Sequence, residues 1–98
     1  MKRTLVVTKQ AEIDLSEIWL WTYTTFGQTQ ADRYLDQLDH EIQQCGEHAE
    51  AGKDRSSLRP NYRSLRVGKH VIFCTFTASQ VVVQRVLHAS MDFEVHLP

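Results

Sequence analysis

The sequence has little cysteine, proline or glycine, and it has no long apolar run. Its 98 residues include two cysteines, two prolines and four glycines. Two cysteines allow at most one disulfide, and both lie in apolar-patterned segments, so we expect reduced thiols and a cytoplasmic protein. No segment approaches the roughly 18 apolar residues of a membrane span, and residues 5–7 are too short an apolar stretch for a secretory signal. These absences exclude a disulfide scaffold and a membrane span. They leave one globular domain over residues 1–98.

Charge is divided unevenly along the chain although the total is only −1. Residues 1–50 carry four basic and nine acidic side chains, whereas residues 51–98 carry seven basic and three acidic ones. Six of the seven basic groups fall in residues 53–69. The near-zero total excludes a uniformly basic nucleic-acid-binding domain. The asymmetry predicts an acidic partner for the basic half, or mutual neutralisation of the two halves within the fold.

Hydrophobic periodicity predicts a strand and two helices in the first half. Residues 5–7 are short and β-branched, as in a strand. Thr8 suits the N-cap of a helix that runs from residue 9 to Phe26, where Gly27 ends it. Its apolar face is expected to carry Ala11, Leu15, Ile18 and Thr22, widened by Trp19 and Phe26. A second helix begins at residue 28 or 29 with apolar spacings of four and three, and a polar stretch between Gly46 and Gly52 ends it. The short linker predicts an antiparallel helical hairpin.

The last third changes to a period of two. Residues 53–61 are predicted as a loop, followed by strands over residues 62–67, 70–77 and 81–88 that form an antiparallel meander. The predicted fold class is therefore α+β in the order β-α-α-β-β-β. The N-terminal strand and the helical hairpin pack on one face of an antiparallel sheet.

Motifs for common catalytic and nucleotide-binding sites are absent, and no cofactor or metal site is predicted. Cys45 and Cys74 lack a nearby histidine pair, and Cys74 lies in an apolar strand, which is typical of a buried, inert thiol. His40 and His48 share a side only if the second helix continues through Gly46, which makes a metal pair there improbable.

Three polar residues of the predicted strands are candidates for a binding site. Arg85 is expected to share a face with Val81, Val83 and Leu87. Its charge then predicts either an anion-binding groove with Arg63 or an ion pair with a helix acid such as Asp36 or Asp39. His88 ends the last strand, where it can act as a general acid or base, contact phosphate, or bind a backbone carbonyl.

Two tryptophans lie two residues apart on the first helix. Trp19 falls near the apolar stripe, so Trp21, about 200° away around the helix, is expected to be exposed. An exposed tryptophan indicates a partner or dimer surface, or is incidental.

An ordered set of motifs gives the chain a resemblance to the RelE/ParE superfamily of bacterial toxins, in its ParE branch. The motifs are Ala11-x-x-Asp14-Leu15-x-x-Ile18, Phe26-Gly27-x-x-Gln30-Ala31-x-x-Tyr34, Tyr62-Arg63, Gly68-x-His70-Val71-Ile72-Phe73 and Arg85-Val86-Leu87-His88-x-x-Met91-Asp92. The resemblance covers nearly the whole chain, and the closing motif is the most distinctive.

The resemblance implies the toxin of a type II toxin–antitoxin module, which inhibits DNA gyrase by binding, performs no catalysis and is neutralised by a ParD-like antitoxin. An alternative is a ribosome-dependent mRNA endonuclease that uses Arg63, Arg85 and His88, and a third is a non-toxic binding module. No tyrosine follows Tyr62, so the C-terminal tyrosine that some endonucleases of the superfamily use as a general acid or base is absent. The near-neutral charge also disfavours binding to RNA phosphates, and both observations favour the gyrase-directed branch.

Target-binding and antitoxin-binding residues are expected in two overlapping sets. The target-binding candidates are Arg59, Arg63, Arg66, Arg85, His88, Met91 and Asp92. The antitoxin-binding candidates are Trp19, Trp21, Arg63, Phe73 and Arg85. The antitoxin is expected to be an acidic or amphipathic segment that covers the sheet and the hairpin. Residues 91–98 are ordered in the free protein or only on a target, and a homodimer or larger assembly is possible.

Overall fold

The computed structural model describes residues 3–98, apart from the side chain of Ala49, so Met1 and Lys2 lie outside the described residues. Its elements are β1 (Thr4–Val7), α1 (Lys9–Phe26), α2 (Gln28–His48), a 3₁₀ turn (Ala49–Ala51), β2 (Lys53–Asp54), β3 (Tyr62–Val67), β4 (His70–Phe76), β5 (Gln80–His88) and α3 (Phe93–His96). The predicted α+β class and element order are confirmed, with β2 and α3 as additions.

The five strands form one sheet in the order β1-β5-β4-β3-β2. The predicted meander of β3, β4 and β5 is antiparallel as expected. The sheet as a whole is mixed, because β1 joins its edge parallel to β5. The expectation of a purely antiparallel sheet is therefore wrong in this respect. Residue alternation reports which face a side chain occupies and carries no information on a neighbouring strand's direction.

Two predicted boundaries differ from the structure. Helix α2 continues through Gly46 to His48, and Gly46 is buried next to Leu5 of β1. Residues 53–61 are not wholly a loop, since β2 occupies the first two of them and pairs with β3. None of the helices described within residues 3–98 combines the length and apolar character needed to cross a membrane.

A β-bulge in β5 changes the face of the sheet on which its later residues lie. Cys74 pairs with Val83 and Phe73 pairs with Arg85, so Gln84 is an extra residue. Val81 and Val83 belong to the core beneath the helices, whereas Leu87 belongs to the core on the opposite face. Arg85 therefore shares a face with Leu87 and not with the two valines. The sequence-based prediction assumed an unbroken strand, and a bulge reverses alternation.

Both faces of the sheet carry a core. The larger core lies between the hairpin and the sheet and includes Leu38, Ile42 and Ile72. The smaller core lies on the other face, where Phe93 and Leu97 of the C-terminal segment cover Phe73. Residues 91–98 are thus ordered in the described structure.

The predicted buried face of α1 is confirmed for Ala11, Ile18 and Thr22, while Leu15 is half-buried. Phe26 is instead 64% exposed, so its assignment to that face is wrong. It follows Ile18 by eight residues, which advances the helix about 80° beyond two full turns.

Both cysteines are fully buried in the larger core, as predicted for Cys74 from its apolar strand. The Cys74 thiol hydrogen-bonds that of Cys45, and this contact together with burial raises the pKa of Cys45. A raised pKa keeps this thiol protonated and unreactive.

Replacing Gly68 with alanine should destabilise the fold more than the same change at Gly46. Gly68 has a φ of 54°, and a Cβ there would lie 2.9 Å from the Tyr34 hydroxyl, whereas a Cβ at Gly46 in α2 would make an ordinary contact with Leu5 at 3.6 Å. We expect Gly68→Ala to lower the free energy of unfolding by about 2 kcal/mol and Gly46→Ala to change it by less than about 1 kcal/mol, measured by urea denaturation. Equal losses would contradict the contributions of the left-handed backbone and of Tyr34.

Candidate target-binding surface

Strand β5 extends beyond the end of its neighbour β1, and α1 covers the edge that is left free. β1 pairs with β5 only as far as Val83. The Thr8 hydroxyl, which caps α1, donates to the carbonyl of Gln84 at 3.0 Å. The Asp14 carboxylate accepts from the backbone N–H of Val86 at 3.0 Å. Side chains of the helix therefore satisfy backbone groups that a longer β1 would have paired.

Asp14 also pairs with Arg85, which decides between the two interpretations of this arginine. Arg85 donates to Asp14 through Nε at 2.7 Å and Nη2 at 2.9 Å, and the Asp14 side chain is only 5% exposed. Hydrogen bonding to this carboxylate raises the pKa of Arg85. The prediction that Asp36 or Asp39 would be the partner of Arg85 is wrong, because both line an outer groove on the hairpin. The ion pair instead joins α1 to β5.

Arg85 and Arg59 hold the C-terminal segment against the sheet. The remaining Arg85 donor, Nη1, binds the carbonyl of His96 at 2.8 Å, and Arg59 Nη2 binds that of Glu94 at 2.8 Å. Carbonyls at the end of a helix lack backbone partners and attract cations. These two arginines therefore position α3.

The C-terminal segment exposes apolar side chains on its outer side. Phe93 and Leu97 face the sheet, and Phe93 packs edge-on against Phe73 with ring centroids 4.8 Å apart. Met91 is 44% exposed and Val95 is 74% exposed. The antitoxin-binding candidate Phe73 is fully buried under this segment, so a partner reaches it only if Phe93 is displaced.

Arg63 and Arg66 point to opposite faces of the sheet. Arg63 pairs with Cys74 of the larger core, and Arg66 pairs with Val71 of the smaller core. Residues directly opposite each other in a ladder project to the same side. Arg63 donates to the carbonyl of Gly52, and Arg66 donates to that of Gly68. The basic stretch is thus not one groove.

His88 belongs to a polar cluster with His70 at the first residue of β4. Its Nδ1 accepts from the backbone N–H of Ser90 at 3.1 Å, and its ring lies 5.2 Å from that of His70. His70 Nδ1 is 2.6 Å from the Tyr34 hydroxyl, which donates to the carbonyl of Val67. Burial and the nearby His88 lower the pKa of His70 to about 4.

Arg63, Arg85 and His88 are not brought together in the described structure. Arg63 lies on the helix side of the sheet, and Arg85 is bound to Asp14. His88 follows Arg85 by three residues of strand, a separation of about 10 Å. An acid–base group and two arginines around one scissile phosphate would need a tighter arrangement.

The two tryptophans differ in exposure as predicted. Trp19 is half-buried, donates from Nε1 to Asp32 at 3.0 Å and stacks on Tyr23. Trp21 is 61% exposed and contacts Phe26 edge-on. Trp19 is therefore held in place, whereas Trp21 presents most of its ring to solvent.

The sequence reasoning missed Asp14 and Tyr34 as site residues. Asp14 lies three residues after Ala11 and four before Ile18, which places a carboxylate on the buried face of α1. A charge at such a position needs a cationic partner, so this spacing was a usable signal. No comparable pattern links Tyr34 to His70, which are 36 residues apart.

Comparisons with known proteins agree on one family. Residues 5–93 match the family model described as ParE toxin of type II toxin-antitoxin system, parDE. Toxin ParE1 of Mycobacterium tuberculosis is 35% identical over 98 residues, covering 99% of this chain and all of that protein. Toxin ParE1 of Caulobacter vibrioides is 34% identical, covering 93% and 94% of the two chains.

A solved structure supports the same fold. A chain from the chromosomal ParDE TA system of P. aeruginosa superimposes with a TM-score of 0.77, covering 89% of this chain and 96% of that one. The two sequences are 18% identical, so the match shows the shared architecture.

Asp14→Ala should lower the free energy of unfolding by about 3 kcal/mol, because it leaves Arg85 and the Val86 N–H without their acceptor. Asp36→Ala is the matched control, since it removes an exposed aspartate from a helix and should change stability by about 0.5 kcal/mol or less. Urea denaturation at pH 7 measures both. Similar losses in the two variants would contradict the role given to Asp14.

His70 should make stability depend on pH between about 4 and 6.5. The unfolded chain binds a proton at His70 near pH 6.5, whereas the folded protein does so only at about 4. Protonation therefore favours unfolding, and stability should rise with pH through this window. In His70→Asn this rise should shrink, whereas His40→Asn, which removes an exposed histidine, should keep it. Urea midpoints across the window measure the slope, and an unchanged slope in His70→Asn would refute the prediction.

Proposed function

The chain belongs to the ParE toxin family of type II toxin–antitoxin systems, and from this premise we propose that it inhibits DNA gyrase by binding in the bacterial cytoplasm. A cognate antitoxin neutralises it. The observation that carries the proposal is the separation of Arg63, Arg85 and His88, each of which has its own structural partner. Side chains held apart in this way suit a binding protein better than a nuclease.

The C-terminal segment supplies the surface that contacts gyrase. Met91 and Val95 are exposed apolar residues on a segment whose position is held by Arg59 and Arg85. Exposed apolar side chains on a well-held element are typical anchors of a protein interface. Asp92 caps α3 by accepting from Glu94 N, so it shapes this surface. Arg66, which is exposed on the same face of the sheet, supplies a charge beside it.

Among the target-binding candidates, the arginines thus divide into two roles. Arg59 and Arg85 act as positioning residues, because their guanidinium groups already bind carbonyls of the segment or Asp14. Arg66 is exposed and donates to the Gly68 carbonyl through Nε, which leaves its terminal guanidinium nitrogens for direct contact. Arg63 lies on the helix side of the sheet, away from the C-terminal segment, and we assign it a structural role. His88 is next to Met91, whose N–H donates to the His88 carbonyl at 3.0 Å, so His88 positions the start of that segment.

The antitoxin covers the exposed apolar residues that gyrase does not use. These residues cluster on α1 and include Leu20, Trp21 and Phe26. Covering such a surface supplies binding energy and keeps the free toxin from associating through it.

Purified protein should inhibit gyrase-catalysed supercoiling of relaxed plasmid. Met91→Ala/Val95→Ala should weaken this inhibition about tenfold, because two exposed anchors are removed, while the urea midpoint stays unchanged. Val6→Ala/Phe26→Ala is the control, since it truncates two exposed apolar residues elsewhere and should inhibit as the parent does. Full supercoiling in the presence of excess folded protein would contradict the proposal.

A translation assay separates the endonuclease alternative. We expect intact mRNA when the protein is added to translating ribosomes. Translation-dependent cleavage that is lost in His88→Ala would instead identify an RNase, and the absence of growth arrest on expression without antitoxin would identify a non-toxic module.

A further inference from the structure

Residues 55–91 contain six lysines and arginines and no aspartate or glutamate. Four of these six cations are half-buried, whereas Arg66 and Lys69 are exposed, and both lie at the turn between β3 and β4. We propose that this basic tip, formed by Arg66 and Lys69, contacts phosphates of the DNA duplex that gyrase holds. The proposal rests on the proposed function, because it takes gyrase to be the target that brings DNA to the tip.

The other four cations of the stretch are engaged within the fold. Arg59 and Arg63 donate to backbone carbonyls, and Arg85 pairs with the buried Asp14. Arg55 donates from Nε to a buried serine hydroxyl at 2.8 Å and lies over the rings of two phenylalanines. Folding therefore leaves the positive charge of this stretch most exposed at the β3–β4 turn.

The turn that carries the basic tip is held from both sides. Val67 pairs with His70 to close it, and its central Gly68 has a φ of 54°. The Tyr34 hydroxyl donates to the Val67 carbonyl at 3.0 Å, and Arg66 Nε donates to the Gly68 carbonyl at 2.8 Å. A turn held in this way loses little conformational freedom when a partner binds, and Arg66 keeps its terminal nitrogens for that partner.

The basic tip offers positive charge and hydrogen-bond donors, and its side chains have no acceptor atoms. Neither Arg66 nor Lys69 takes part in an ion pair within residues 3–98. The valines beside them, Val67 and Val71, are each only 3% exposed. A protein interface is built around an apolar core, which the tip lacks, whereas a phosphate backbone presents negatively charged acceptors. The tip therefore fits DNA better than a protein surface.

The basic tip lies beside the segment proposed to contact gyrase. The Ala89 N–H donates to the Lys69 carbonyl at 2.8 Å, and the Met91 N–H donates to the His88 carbonyl at 3.0 Å. Lys69 and Met91 are therefore at the same end of the sheet. A target bound at Met91 lies next to the tip, and for an enzyme that acts on DNA this neighbourhood includes its duplex.

Two phosphate contacts are too few for tight binding to free DNA. Each neutralised phosphate contributes about −0.9 to the slope of log affinity against log salt, so the tip contributes about −2. A total charge of −1 also opposes tight DNA binding by the chain on its own. Gyrase holds its duplex next to the bound toxin, and this high effective concentration makes a weak contact matter.

The test compares the affinity of N-terminally labelled protein for gyrase with and without linear duplex DNA, by fluorescence anisotropy. We expect DNA to raise the affinity of the parent about tenfold. In Arg66→Gln/Lys69→Gln this gain should vanish, whereas the affinity for gyrase without DNA should change less than twofold. Lys9→Gln/Arg33→Gln removes two exposed cations from the hairpin and should keep the gain.

The single variant Lys69→Gln leaves the hydrogen bond between Arg66 and Gly68 intact, so it tests the tip without disturbing the turn. It should lose about threefold of the gain. Equal gains in the tip variants and in Lys9→Gln/Arg33→Gln would overturn the inference. A loss of affinity for gyrase without DNA would also overturn it, and would identify an acidic protein surface as the partner of the tip.

Titration of a bare linear duplex at low salt separates this inference from the proposed function. The parent and Lys9→Gln/Arg33→Gln should bind with a Kd on the order of 10⁻⁴ M, and Arg66→Gln/Lys69→Gln about fivefold more weakly. Protein that shows this difference but does not inhibit supercoiling would refute the proposed function and leave the DNA contact of the tip standing. Protein that inhibits supercoiling but shows neither this difference nor a gain from DNA would do the reverse.

Discussion

The carboxylate of Asp14 joins the three parts of the molecule. It accepts the Val86 N–H at the free edge of β5, and it pairs with Arg85, which in turn holds the carbonyl of His96. The helical hairpin, the sheet and the C-terminal segment therefore meet through one buried acid. The position of α3, and with it the exposure of Met91 and Val95, depends on this connection. A packed interior stabilises such an ion pair only when its remaining donors and acceptors are satisfied. Within residues 3–98, every buried side-chain polar atom has a hydrogen-bond partner.

The same arrangement explains how a nearly neutral chain presents two different surfaces. The arginines of the second half are used internally, as donors to backbone and side-chain oxygens of the sheet and its loops. The acids of the hairpin are not matched by them, so negative potential remains along the groove between α1 and α2. The net positive charge of residues 51–98 therefore does not produce a basic surface that matches the acidic surface of the hairpin. It leaves an acidic helical side and a C-terminal side on which Met91 and Val95 are exposed.

Much of the fold was predictable because it follows from local periodicity. The spacing of Ala31, Leu38 and Ile42 predicts α2, and alternation predicts the three strands of the meander. Both patterns arise because one face of each element is buried against the core. The candidate site was less predictable. The bulge at Gln84 reverses the face of Leu87 relative to Val83, and Arg85 meets an acid 71 residues away. The hydrophobic periodicity of the sequence indicates neither the bulge nor this ion pair.

The sequence by itself determined the element order, the buried stripes of the helices and the exposure of Trp21, because these depend on neighbours within one or two turns. Tertiary structure decided which cation Asp14 meets, on which side β1 joins the sheet and that Phe73 lies beneath Phe93. These choices depend on which distant groups are brought within hydrogen-bonding distance, about 3 Å, and that distance is set only when all layers pack together. The number of acidic and basic groups in each half follows from the sequence. Which of these charges remain exposed depends on the hydrogen-bond and ion-pair partners that each group meets in the folded protein.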